Sequence, residues 1–505
     1  MPTWPSVVCL GLSLSLSVAT TPSVFAPPAK QASLLSCLDV QGIRYAARNS
    51  TEWSREADPF NRRLRYSPVA FAAPVSVKQI QASVSCGVKN GLRISAKSGG
   101  HSYGSWSLGG EDGHLVIDLD QLYGVTLHRD NTATVQPGAR LGHIATQLFA
   151  QGQRAIAHGE CPGVGIGGHA LHGGLGLLSR SRGMTLDWLV GAKVVLANSS
   201  IVDCSATLNA HLFWAIRGAG SSFGIVAEFK FNTFEAPHVV SPFAIELSWN
   251  ASQAAEGIKA FQDFALSAPK ELSSYLILGP QYHSIEGAYF GDQDGLERII
   301  RPFLNQIKPR RFNSSTMGWL DGLKYFDGGQ PMEQNPNETM HLYFYVTSLM
   351  TRALNDIEAA SLASSIFTEL AAPVLPPDWY VVLEVHGGPA SIFSAVDSHA
   401  TAFPHRHKGL LFQFKVVNTT AKFPERGIPA MQRLSKSVTN RMGRDDWGMY
   451  SNYIDTELDD KTAQHLYWGD NLPRLRRIKA HLDPGEMFWS PQGIRPVKLL
   501  EIEGR

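Results

Sequence analysis

Two glycine-rich stretches hold the residue types best suited to chemistry. HGECPGVGIGGHALHGGLGLLSR, His158 to Arg180, puts Cys161 ahead of Gly163, Gly165 and Gly168 in G-x-G-x-x-G spacing. AKSGGHSYGSWSLGG, Ala96 to Gly110, displays His101. Imidazole and thiol are both nucleophiles able to form covalent bonds. Glycines let backbone N–H groups come close to a bound anion. Together the loops suggest a large diphosphate cofactor held between them. A Rossmann turn is rejected, because it needs an aliphatic strand before the glycines and an unbroken helix after them. Here Cys161-Pro162 precede, Gly173, Gly174 and Gly176 interrupt, and Asp187 comes before the strand LVGAKVVL rather than at its end. His169 and His172 suggest a metal pair, but no third ligand is apparent. They read as loop histidines, and no metal is expected.

These loops need elements to position them. VKQIQASVSCGVKNG has helical spacing with a stop at Gly91, and LRISAKS is a short strand ending at Gly99-Gly100-His101. HLVIDLDQLYGVTLHRDNTATVQPGARLGHIATQLFAQG reads as short strands followed by a helix. LVGAKVVLANSSIVDC is a hairpin, and AHLFWAIRGAGSSFGIVAEFKFNTF is a helix, a Gly-rich loop and a strand. From about Ala236 the texture changes to strands such as VVSPFAIELSW, SSYLILGPQY, GAYFG, HLYFYVTSLM, WYVVLEVHG and GLLFQFKVV. ASQAAEGIKAFQDFALSA and ALNDIEAASLASSIFTELA are helices between them. An antiparallel sheet backed by helices is expected, so the fold class is α+β. Tyr275, Tyr282, Tyr289, Tyr343 and Tyr345 fall in this sheet, mostly as core residues. DKTAQHLYWGDNLPRLRRIKAHLDP reads as one helix.

With 505 residues, 44% hydrophobic and 18% charged, the chain is a globular protein of two or three domains. A net charge of +1 without a long basic run gives no reason to expect nucleic acid or an anionic membrane as partner. Val7 to Ala19 is an apolar, small-residue run of signal-peptide length, too short to span a bilayer comfortably. Residues 1–19, with cleavage extending up to 26, are therefore read as a secretion signal. Sequons at Asn49, Asn198, Asn250, Asn313, Asn337 and Asn418 agree with a secreted, extracellular glycoprotein. No later segment is long and apolar enough for a membrane span. In an oxidising compartment Cys37 and Cys86 could pair, and Cys204 reads as a buried thiol. Residues 502–505 resemble a protease-cleavage scar and are left out of the fold reading.

SGGHSYG, GECPGVGIGGHALHGGLG, FWAIRGAGSSFGIVAEF and NYIDTEL…LYWGDNLPRLRRIKAHLDPGEMF, in that order, resemble the FAD-linked oxidases of the berberine-bridge-enzyme type in the vanillyl-alcohol-oxidase superfamily. The likeness covers nearly the whole mature chain and is greatest to fungal glucooligosaccharide-type carbohydrate oxidases. It implies a two-subdomain FAD-binding domain of the vanillyl-alcohol-oxidase/PCMH type. Residues 37–236 would form its N-terminal part, 237–450 a substrate domain, and 451–500 a berberine-bridge-type segment returning to the FAD domain. It implies FAD bonded through its 8α-methyl to His101 and through C6 to Cys161. Gly99, Gly100, Ser102, Tyr103, Gly165, Gly167, Gly168, Gly224 and Ile225 would line the cofactor, with Gly218 and Gly220 close by. Tyr453 would be the base that takes the sugar's anomeric proton, partnered by Glu384, where relatives carry Asp. Tyr103 and Gln413 would meet the sugar.

The implied activity is oxidation of the reducing-end C1 hydroxyl of an oligosaccharide to a lactone, then an aldonic acid. Molecular oxygen would be reduced to hydrogen peroxide by a monomeric enzyme. Two other readings keep the fold: a sugar dehydrogenase with another acceptor, and an oxidase of an alkaloid or phenol. A third, a non-catalytic carbohydrate-binding protein, is disfavoured by His101, Cys161 and Tyr453 together.

Overall fold

The computed structural model describes residues 28–280, 282–334, 341–371, 378–418 and 423–497. The segment expected to be a secretion signal, Asn337 and residues 502–505 lie outside them. Residues that alternate faces along extended backbone build the largest unit, an eight-stranded sheet. Its order is Arg311–Ser314, Ser241–Glu246, His283–Tyr289, Leu272–Leu278, Trp379–Val385, Leu410–Asn418, Tyr343–Thr351 and Trp447–Gly448. Every pairing in it is antiparallel. The helices Ala251–Ser267, Gln293–Ile307, Asp356–Ala371 and Gly427–Thr439 cover one face, packing Phe261, Ile300, Ile366 and Met431 onto Leu276, Leu383 and Phe412.

The opposite face is the one that matters for function. Tyr380, Val382 and Glu384 alternate along one strand, and their partners across the ladder are Lys415, Gln413 and Leu411. Tyr275 is opposite Glu384 on the other side. Directly opposed residues in a ladder share a face, so Tyr275, Glu384, Gln413 and Lys415 all project from it.

Two smaller sheets carry the glycine-rich loops. One is ordered Arg44–Ala46, Ala70–Ala73, Leu115–Asp118, Ile94–Lys97, with its last three strands parallel. The other is an antiparallel set of Val125–Leu127, Thr132–Val135, Ile225–Asn232, Leu189–Val195 and Ile201–Ser205. Helix Val77–Lys89 packs against the parallel sheet. The Ser76 side chain accepts from the Gln79 amide at its start, and Gly91, at φ +59°, lets the chain turn away at its end. The fold class is α+β, as the patterns indicate. Cys37 and Cys86 are disulfide-bonded, joining the helix Pro28–Val40 to Val77–Lys89, and Cys204 is a buried free thiol. No helix among the described residues is long and apolar enough to cross a membrane. Asn49, Asn198, Asn250 and Asn313 are exposed, and Asn418 is half-buried.

The C-terminal segment expected as one helix is two, Asp460–Trp468 and Leu472–Leu482. Gly469, at φ +43°, and Pro473 in the first turn of the second helix break it. Tyr282 lies between strands, where the chain turns from Leu278 to His283.

An ion cluster fixes the end of the strand that leads to His101. Lys97 Nζ donates to Glu56 at 2.6 Å and to Asp118 at 2.8 Å, and all three side chains are at most 17% exposed. Removing one member of a buried ion cluster leaves the rest uncompensated, which costs about 3–5 kcal/mol. Lys97→Met is therefore expected to lose about 3 kcal/mol of stability at neutral pH, measured by urea unfolding. An unchanged midpoint would show that the cluster does not hold this strand.

Candidate active site

Beyond Lys97 the chain turns through Ser98, Gly99 and Gly100 to present His101. Gly100 has φ +70°, which favours glycine. Gly99 has no room for a side chain: a Cβ there would sit 2.2 Å from the Gly165 nitrogen, and one on Gly165 would sit 2.1 Å from the Gly99 nitrogen. The two loops thus meet backbone to backbone. Arg140 clamps them. Its Nη1 donates to the carbonyls of Gly99 and, at 3.0 Å, Gly163, and its Nη2 pairs with Asp120 at 3.2 Å. Ser98 Oγ adds a second tie, donating to the Pro137 carbonyl at 2.5 Å and accepting from the Gly167 amide at 3.2 Å.

Between the loops runs a cavity of about 770 Å³. Gly99, Gly100, Ser102, Gly165, Gly167, Gly168, Gly224 and Ile225 line it, as expected for a cofactor trough. A Cβ on Gly168 would meet nothing within 4 Å, so its backbone faces open space. Gly218 and Gly220, expected nearby, do not line the cavity. Gly218, at φ +137°, lies against the Phe403 backbone and Gly220 against Leu171, so both are packing positions.

His101 stacks on Phe60 with ring centroids 4.4 Å apart. Burial, followed by the positive charges of Arg140, His341 and Lys415, brings its imidazole down to about 3. It is therefore neutral, and a competent nucleophile, at neutral pH. Its Nε2 is closed to solvent and has no hydrogen-bond partner among the described residues. A buried, unsatisfied ring nitrogen on a residue that lines a trough of this size fits a covalently attached ring system. Cys161 lines the same cavity, and its sulfur is in a disulfide in this structure. The loop histidines take structural roles: His169 accepts from the Gly159 amide at 3.0 Å, and His172 bonds the Gly168 carbonyl and Ser221.

The other end of the cavity is built on the sheet face. Tyr453 Oη donates to Glu384 Oε1 at 3.3 Å, and Glu384 Oε2 contacts His386 Nε2 at 3.0 Å. Tyr103 stacks on Tyr453 at 5.6 Å with ring planes 9° apart, and Tyr450 meets Tyr453 edge-on. Burial, then the Glu384 charge, pushes the Tyr453 phenol well above its usual range. It rests as a neutral phenol, and Glu384 is positioned to receive its proton. Asn452 Nδ2 donates to Tyr450 Oη, which in turn accepts from the Gly174 amide, so the Asn-Tyr segment is tied to the Cys161 loop. Gln413 does not line the cavity. It is 2% exposed, and its amide donates to Tyr103 Oη at 3.5 Å, so it bears on the site through Tyr103.

Four residues were missed from sequence: Arg140, Glu160, His386 and Lys415. Lys415 carried a signal, since it lies two residues after Gln413 and must share its face. Its ammonium lies over the rings of Phe344, Tyr103 and Tyr380, at 4.8, 5.4 and 5.9 Å. Glu160 adjoins Cys161 and lines the cavity. Burial, then Glu384, Glu286 and Asp327, raise its carboxyl well above the usual range.

The chain matches the FAD binding domain family over residues 68–205 and the family described as berberine and berberine like over residues 449–495. It is 44% identical to an FAD-linked oxidoreductase, dpmaF, of Metarhizium anisopliae, over 91% of this chain and 90% of that one. It is 41% identical to a chitooligosaccharide oxidase of Gibberella zeae, over 93% and 96%. A solved glucooligosaccharide oxidase from Acremonium strictum, described with a 6-S-cysteinyl, 8α-N1-histidyl FAD, superposes with a TM-score of 0.88 at 39% identity. That match covers 92% of this chain and 99% of the other.

Lys415 offers a test of the electrostatics here. Burial lowers its ammonium from 10.5 to about 8. Below pH 8 the lysine is charged in both folded and unfolded chains, and the folded protein bears the cost of burying it. From about 8 to 10.5 the unfolded chain binds the extra proton, so stability rises with pH. Lys415→Met is expected to be about 3 kcal/mol more stable than wild type at neutral pH. The gap should close as pH rises from 8 to 10.5. A gap independent of pH, read from thermal unfolding, would refute the burial argument.

Proposed function

Because the chain belongs to the berberine-bridge-enzyme-type FAD-linked oxidases of the vanillyl-alcohol-oxidase superfamily, we propose that it is a secreted, monomeric oligosaccharide oxidase. The substrate is the reducing-end C1 hydroxyl, and the product is a lactone that opens to the aldonic acid. Oxygen is the final acceptor and leaves as hydrogen peroxide. The observation that carries this reading is the Tyr453–Glu384 hydrogen bond in the wall of the cofactor-sized cavity. Residues 37–236 and 451–500 hold the cofactor, and 237–450 supply the substrate face.

Bound FAD supplies a two-electron acceptor for the C1 carbon. His101 and Cys161 are the residues that would hold it covalently, at the 8α-methyl and C6. Gly99, Gly100, Gly165, Gly167 and Gly168 present backbone to its diphosphate. Tyr103 flanks the sugar, and Gln413 steadies Tyr103. As the C1 hydroxyl is oxidised, Tyr453 Oη takes its proton and passes its own to Glu384 Oε1. This two-proton shift avoids a free phenolate in a buried site and lets a phenol act as base at neutral pH. Positioning the sugar against this pair is the protein's main contribution.

Oxygen uptake across a panel of reducing mono- and oligosaccharides, including chito- and glucooligosaccharides, tests the reading. Uptake with matching peroxide is expected. Flavin bleaching by sugar under argon without uptake would make the enzyme a dehydrogenase, and neither response would remove sugar as substrate. Tyr453→Phe is expected to keep the yellow colour and lose about 10²–10⁴-fold in kcat. Near-normal kcat would exclude Tyr453 as base. Digestion of the wild type should release one flavin-bearing peptide pair containing both His101 and Cys161. Separate unmodified peptides would refute the double linkage.

A further inference from the structure

Glu384 has two carboxylate oxygens and a different partner on each. Oε1 accepts from Tyr453 at 3.3 Å and Oε2 meets His386 Nε2 at 3.0 Å. His386 is 3% exposed, and its Nδ1 has no hydrogen-bond partner among the described residues. Among the described residues, Glu384 is thus the one polar partner of the ring. Nothing in the proposed chemistry uses His386.

The surroundings hold the imidazole in place. It follows Glu384 by two residues at the end of the strand Trp379–Val385, just before Gly387 and Gly388. Ser391 Oγ donates to the His386 carbonyl at 2.6 Å, and the buried Arg180 donates to the Gly387 carbonyl at 2.8 Å. Phe393 packs on the ring at 6.0 Å. A backbone tied at consecutive residues and a ring packed on one side fix where Nε2 points.

We infer that His386 is a positioning residue for the proton acceptor: its Nε2–H holds Oε2 of Glu384 so that Oε1 faces Tyr453. The inference rests on the proposed role of the Tyr453–Glu384 pair and extends it. A glutamate has one more free side-chain torsion than an aspartate, and an acceptor that swings away from the phenol cannot take its proton. Fixing that torsion in advance is the same kind of contribution as fixing a substrate. No proton need leave His386. The proton from the sugar moves to Tyr453, the phenol proton moves to Oε1, and the imidazole keeps its own. The Nε2–H tautomer follows from the contact, because a carboxylate oxygen can only accept.

The test compares His386→Gln with His386→Met in the flavin-loaded enzyme. Both fill much of the ring's space, and only glutamine brings an N–H to the position of Nε2. His386→Met is expected to lower kcat at least tenfold with KM within threefold of wild type, and His386→Gln to stay within threefold of wild type in both. With Glu384→Gln already present, the two changes should give the same kcat, since there is no carboxylate left to orient. Equal kcat for His386→Gln and His386→Met in the native background would overturn the inference. So would a difference that persists beside Glu384→Gln, or a loss confined to KM. A wild type that oxidises no sugar would overturn the functional reading, and this one with it.

Discussion

The site depends on a single close approach, the backbone of Gly99 lying on the backbone of Gly165. Neither position has room for a methyl group, so two segments far apart in the chain can touch only as bare peptide. That contact brings the loop of His101 against the loop of Cys161. It also aligns two runs of amide groups along one trough, which is how a protein without a Rossmann turn can still cradle a diphosphate. Arg140 makes the approach tenable. Two carbonyls brought together would repel, and its guanidinium donates to both while Asp120 balances its charge.

The substrate end follows a different logic, that of the pleat. A period of two puts Tyr275, Glu384, Gln413 and Lys415 on one face, while helices bury the other. The C-terminal segment then brings Tyr453 over that face. It is secured to the cofactor side by Lys479, which is fully buried and donates to Asp483, the Ser222 carbonyl and the Phe488 carbonyl. Ser222 lies two residues before Gly224 in the trough wall. The tail that carries Tyr453 therefore also locks the loop that lines the cavity.

The electrostatic character of the cavity is uneven. Around His101 burial and neighbouring cations favour the neutral ring. At the other end burial and the charges of Glu384 and Glu160 favour the neutral Tyr453 phenol, and burial with the charges of Glu384, Glu286 and Asp327 favours a neutral Glu160. A hydroxyl entering this end meets groups that exchange protons without building up charge, which suits removal of a proton from a neutral sugar.

Much of this was readable along the chain, because it is local. The two glycine loops, the exclusion of a Rossmann turn, and the strands and helices of the large sheet follow from spacing and residue type, whereas Cys37 and Cys86 were only able to pair until the fold brought them together. Tyr453 and Glu384 came from resemblance, with a motif and a Gly-Gly turn to mark them. Arg140, Glu160 and His386 left no such mark. Each is an ordinary residue beside a motif, and its meaning is a distance to something remote in sequence: Arg140 to Gly99, Glu160 to Glu384, His386 to an oxygen that also holds Tyr453. Gly218 and Gly220 show the converse. Their motif resembled cofactor contact, yet the fold turned them towards Phe403 and Leu171. Sequence by itself determined which residues can do chemistry and which faces they occupy, since side-chain type and backbone period are local properties. Tertiary structure decided which of them meet, because hydrogen bonds and buried charge depend on separations of a few ångströms that no spacing along the chain encodes.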